Sequence, residues 1–137
     1  MEQSFKRSVN ELQAIVAATG RFFSHSGTAE SIRMAVDLAV EELFVNMVTY
    51  NLGTDHDILL QMQASPGGVT VSLTDYDVEP FDPSLAPHVD INAPLDQREP
   101  NGLGLYLVSK MVDSVHYAYR DRESKVTFVK TVRRADD

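Results

Sequence analysis

Cysteine does not occur anywhere in the 137 residues. Disulfides and thiolate catalysis are therefore excluded, and a zinc site would have to rely on histidine and carboxylates. The four histidines, His25, His56, His88 and His116, stand far apart, without the paired spacing of a metal site. Long apolar runs are missing too. The start, MEQSFKRSVNELQ, has no apolar core of the signal-peptide kind, and nothing approaches the roughly 20 residues that span a bilayer. The expectation is a cytoplasmic protein with no membrane partner. Positive charge is scarce, with 12 Lys and Arg against 20 Asp and Glu and a net charge of −8. Phosphate backbones require a basic face, so nucleic acid is not an expected partner. A basic or mixed-charge protein partner suits this chain better.

What is present fits an ordinary globular domain: 43% apolar and 23% charged residues, in a length suited to one domain spanning 1–137. SFKRSV reads as a short first strand. NELQAIVAATGRFF places Leu12, Ile15, Val16 and Phe22 or Phe23 at helical spacing. After the polar SHSGT, a second helix runs through TAESIRMAVDLAVEELFVNMVTY, with Thr28 as its N-cap and NLG as its end. DILLQMQAS and VTVSLTDYD then read as two strands joined by a PGG hairpin turn. Residues 79–101 hold five of the six prolines, which marks a lid or binding segment rather than a plain connection. GLGLYLVSKMVDSV is a glycine turn running into a helix, and HYAYRD and KVTFVKTV are closing strands around DRES. The order β-α-α-β-β-loop-α-β-β predicts an α+β two-layer sandwich: a mixed, mostly antiparallel sheet with helices on one face.

Three places can carry chemistry. On the second helix, Glu42 and Asn46 are one turn apart beside the apolar stripe. A carboxylate there can orient or deprotonate a hydroxyl, and an amide oxygen can be one ligand of Mg²⁺; the plain alternative is a polar helix edge. In NGLGLYLVSK, Gly102 and Gly104 precede a helix whose free N–H groups attract anions, or Asn101 simply caps that helix. It is neither a Walker A loop nor a Rossmann fingerprint. In LTDYDVEPFDP, two aspartates end a strand and open the long loop. An acid there can accept a hydrogen bond from an amino group such as that of adenine, or serve as an acidic turn.

Taken in order, the E-x-x-x-N helix, the Asp-bearing strand end, the lid and G-L-G-L resemble the GHKL (histidine kinase-like) ATPase superfamily. PFDP at 80–83, DINAPLDQREPNGLGLYLVSKMVD at 90–113 and the closing VTFVK are similar to its small stand-alone branch, the serine-kinase anti-sigma factors. The resemblance covers roughly residues 5–131 and implies a nucleotide lid at 83–101. It implies that Glu42 activates the attacking hydroxyl and Asn46 coordinates Mg²⁺. It further implies that Asp75 or Asp77 reads the adenine amino group, that Asn101, Gly102 and Gly104 line the phosphates, and that Thr127 lies near the adenine, with Arg98 and Lys110 as local cations.

The implied activity is ATP-dependent serine/threonine protein kinase chemistry by an anti-sigma factor. The γ-phosphoryl would pass to a STAS-type antagonist, with ATP and Mg²⁺ as cofactors and a sigma factor as the second partner; the family's homodimers make self-association a further expectation. Two departures stand out. DYDVEPF lacks the glycine of the usual D-x-G, and Asn101 stands where the branch has the first glycine of GGLG. They support an alternative of another class, a partner-binding module of the same fold that regulates transcription without phosphoryl transfer.

Overall fold

The computed structural model describes residues 1–50, 53–79 and 107–132. Five strands, β1 (Glu2–Phe5), β2 (Ile58–Ser65), β3 (Gly68–Tyr76), β4 (Ser114–Arg120) and β5 (Glu123–Thr131), form one sheet in the order β1-β2-β3-β5-β4. Every neighbouring pair is antiparallel. The expected mixed sheet is thus wholly antiparallel among the described strands, because hairpins make two of its pairings and β5 turns back to lie against β3. Two helices, α1 (Leu12–Ser26) and α2 (Arg33–Tyr50), join the sheet in one core.

The alternation of each strand decides which face that core covers. Phe5, Ile58, Leu60, Met62, Val71, Leu73, Val126 and Phe128 are buried against Ile15, Phe22, Phe23, Val36, Val40, Leu43, Phe44 and Met47 of the helices. Phe22 and Phe23 meet edge to face with centroids 5.8 Å apart, an arrangement the ring quadrupoles favour. Val108 and Val112, in and just after the helical stretch 107–111, join the same core. On the other sheet face, the intervening residues are Thr70, Ser72, Thr74 and Thr127, and no described helix covers them.

Several boundaries differ from those expected. The first strand ends at Phe5, not Val9, because the chain turns out of the sheet there: Ser8 N–H donates to the carbonyl of Lys6 at 2.8 Å. Ser8 then accepts from the Asn10 N–H at 3.2 Å, opening a 3-10 turn at Val9–Glu11 that leads into α1. The SHSGT break begins later than expected; α1 runs on to Ser26 and stops at Gly27, whose φ of 74° is left-handed. Thr28 does not cap the next helix. Its hydroxyl bonds Ser26 Oγ at 2.7 Å, and a 3-10 turn at Glu30–Ile32 precedes α2. Ser114 and Val115, expected in the last helix, belong to β4. Residues 80–106, including the lid expected at 83–101, lie outside the described residues.

The β2–β3 hairpin turns at Pro66–Gly67, as PGG suggested, with Gly67 at φ 73°. Gly68 serves a different need. A Cβ there would come within 2.0 Å of the Lys130 carbonyl oxygen on β5. Gly68→Ala should therefore cost about 3 kcal/mol, the upper part of the overpacking range, since backbone cannot yield as a side chain does. Urea unfolding of the variant beside the wild type measures it, and an unchanged midpoint would contradict the close packing of β3 on β5.

Candidate functional site

The two aspartates at the end of β3 have opposite fates. Asp75 is the last inward-facing residue of the strand, in register with Ser124 of β5, and its side chain is 0% exposed. A carboxylate out of water needs a compensating charge. Arg7 supplies it: Nη2 donates to Oδ1 in a very short contact and Nη1 to Oδ2 at 3.3 Å. The same Nη1 donates to the Met47 carbonyl at 3.1 Å, within the last turn of α2, where carbonyls lack helical partners. Removing one partner of such a buried pair costs about 3–5 kcal/mol. Arg7 therefore joins three elements at one point: the segment after β1, the C-terminal end of α2 and the end of β3.

Asp77 lies past the strand with φ 58°, half exposed, and accepts from Arg122 Nε at 2.8 Å. Arg122 also reaches Glu79 Oε1 at 3.0 Å and the Asp77 carbonyl at 3.4 Å. Asp121 and Arg122, both at positive φ, form the two-residue loop between β4 and β5. Hairpin loops of this length use such left-handed pairs, and here the Arg122 fork offsets the strain of a non-glycine residue. Val78 N–H donates to the Arg122 carbonyl at 3.0 Å, and Tyr119 Oη donates to the Val78 carbonyl at 2.8 Å. The chain leaving β3 is thus tied to the β4–β5 hairpin. Of the two candidates left open by the sequence, Asp75 points into the helix-covered side and Asp77 holds this turn.

On α2, Asn46 is only 3% exposed, and its Oδ1 finds no hydrogen-bond partner among the described residues. Glu42, one turn earlier, is partly exposed. Buried amide oxygens are nearly always paired, so an orphan at the edge of a helix is an acceptor awaiting a donor or a cation. An amide oxygen is a ligand type that Mg²⁺ takes, and Mg²⁺ keeps several waters rather than an all-protein cage. The residues therefore fit the ion, although no group of three or more His, Asp or Glu gathers among the described residues. Asn46 adjoins Met47 in sequence, whose carbonyl meets Arg7, while Glu42 lies a turn earlier, near the middle of α2.

Thr127 is not brought to Asp75. In register with Ser72, and bonded to it oxygen to oxygen at 2.9 Å, it faces the uncovered side of the sheet. The β5 residues on the Asp75 side are Ser124 and Val126, both buried. One position along a strand is enough to change face. Arg98, Asn101, Gly102 and Gly104 lie outside the described residues; Lys110 belongs to the helical stretch 107–111. Sequence reasoning missed Arg7 and Ser124. Arg7 lies in what reads as a plain strand, and only the early end of β1 frees it.

The histidine kinase-like ATPase domain model matches residues 5–130. The chain belongs to that family. Solved structures agree on the fold. The RsbU and RsbW domains of Rv1364c from Mycobacterium tuberculosis match with TM-score 0.68 and 14% identity, over 96% of this chain but only 32% of theirs. The SiaB–SiaC complex of Pseudomonas aeruginosa matches with TM-score 0.58 and 14% identity, over 96% of this chain and 89% of that one. The Acinetobacter baumannii histidine kinase AdeS follows at 0.51 and 13%, over 96% and 67%. No curated protein matches. No helix among the described residues is long and apolar enough to cross a membrane.

Within this histidine kinase-like domain, Asp77 gives a test by pH. The hydrogen bond from Arg122, then its charge, holds the Asp77 carboxyl below its ordinary value. The unfolded chain therefore takes up the proton at higher pH than the folded one. The pair's contribution is fully present above the ordinary carboxylate pKa of about 3.9 and is lost as pH falls through the lower folded value. Asp77→Asn should destabilise at pH 6, and the gap to wild type should close toward pH 3. Denaturation midpoints across that range check it; a gap constant with pH would count against the ion pair.

Proposed function

We propose that the protein is an ATP-dependent serine/threonine kinase of the anti-sigma type, which phosphorylates a STAS-type antagonist and holds a sigma factor. The observation that carries this reading is the buried, unpaired Asn46 Oδ1 one turn from the partly exposed Glu42. A solvated helix edge would leave that amide oxygen in water, not orphaned. In this reading Glu42 accepts the proton of the partner's serine or threonine hydroxyl as its oxygen bonds the γ-phosphorus. The bond from that phosphorus to the β,γ-bridging oxygen breaks, and ADP leaves with the electron pair. Asn46 would hold Mg²⁺, which when bound neutralises the phosphate charge. Asp75 would accept from the adenine amino group. The net charge of −8 repels ATP at long range, so local cations such as Lys110 would have to offset it.

The partners rest on likeness of a coarser kind. The Rv1364c structure joins an RsbW domain to an RsbU domain, and the Pseudomonas protein is solved as a SiaB–SiaC complex. Both support a fold that works beside a second protein. The second reading, a partner-binding module without phosphoryl transfer, is favoured by Arg7, which already engages the carboxylate that would read the base.

Calorimetric titration with ATP, with and without Mg²⁺, separates the readings. Micromolar, Mg²⁺-dependent binding is expected. Asn46→Ala should remove most of the Mg²⁺ dependence, and Glu42→Ala should keep binding while transfer to the antagonist falls at least a hundredfold. No heat and no thermal shift at millimolar ATP would leave the nucleotide-independent module.

A further inference from the structure

The Asp75 carboxylate is closed. Its side chain has 0% exposure, both oxygens accept from Arg7, and the arginine over it is itself only 10% exposed. No atom of a ligand can touch that carboxylate while the fork is in place. Charge-assisted, two-pronged pairs of this kind are the strongest hydrogen-bonded contacts a carboxylate makes with a side chain. An amino group of a nucleobase is a neutral donor and does not displace one without help.

The closed arrangement is nevertheless incomplete. Among the described residues Arg7 Nε is buried without a hydrogen-bond partner, and a buried donor left unpaired favours the state that returns it to water. The backbone around Arg7 is also free of the sheet. The β1–β2 register ends at Phe5 with Ile58, and the hydrogen-bonded turn of the next residues runs only from Ser8 to Lys6. Swinging the guanidinium outward breaks no ladder bond. It releases the Met47 carbonyl, in the last turn of α2, and removes both Arg7 contacts from the Asp75 oxygens.

Resting on the ATP reading above, we propose that Arg7 is an affinity-setting latch on the nucleotide site. Its fork closes the base-reading carboxylate, and a nucleobase amino group gains Asp75 only by exchange with the arginine. Arg7 thus lowers nucleotide affinity in the free protein. Anything that holds the segment after β1 away from α2, a bound partner included, raises it.

The test is titration of Mg²⁺·ATP into the full chain as wild type, Arg7→Lys and Arg7→Gln, with a thermal melt of each apo protein. Lysine keeps the charge but loses the fork; glutamine loses both. The latch predicts tighter binding, about threefold for Arg7→Lys and tenfold or more for Arg7→Gln, although both apo proteins melt lower. Should Arg7→Gln fail to fold, Arg7→Lys decides. Variants that bind as well as wild type or more weakly overturn the latch and leave ATP binding standing. Binding by the variants alone supports both. No binding by any of the three removes the ATP reading, and the latch with it.

Discussion

One buried ion pair sets the terms for this domain. Asp75 sits at the end of a central strand, on the side covered by helices, where an isolated carboxylate would be far too costly to bury. Arg7 makes that position tolerable, and in doing so it ties the N-terminal segment to the last turn of α2. The cation also lies where the helix presents its unpaired carbonyls, so the pair and the helix end stabilise one another. This junction holds Asp75 and lies beside Asn46 in sequence, while the apolar core packs α2 on the sheet.

A second fixture holds the exit from β3. Arg122 could not occupy its left-handed position cheaply as an isolated turn residue. It does so while its side chain and carbonyl secure Asp77, Glu79 and Val78. The consequence is geometric. The long proline-rich segment departs from a fixed point on the β4–β5 hairpin, close to the strand end that carries Asp75. The strand order places β5 between β3 and β4.

Most of the fold was legible because it rests on periodicity. The α2 stripe, the alternation of β2, β3 and β5, and the PGG hairpin all follow from spacing that burial enforces. The antiparallel hairpins were legible too, but the strand order β1-β2-β3-β5-β4 was not, since pairing order is decided between strands and not within them. Of the candidate site, only the one-turn spacing of Glu42 and Asn46 was legible. Glu42 and Asn46 are fixed in relation to one another by a single helix, whereas Thr127 depends on a strand register that one residue inverts. Arg7 was illegible for a related reason: SFKRSV alternates like a strand, and only the tertiary demand of Asp75 draws its arginine out of the sheet.

The contrast between Asn46 and Asp75 decides how far the site is ready for a ligand. Both are buried polar groups, yet Asp75 is paired while Asn46 Oδ1 has no partner among the described residues. An unpaired buried acceptor costs about 1–3 kcal/mol, a penalty that a purely structural residue has no reason to carry. A leucine or methionine at position 46 would remove it and extend the apolar face of α2. Asp75 argues in the opposite direction: its needs are already met within the chain. Asn46 Oδ1 and the Asp75 carboxylate are both out of water in this structure, so a ligand that used either would first have to open it.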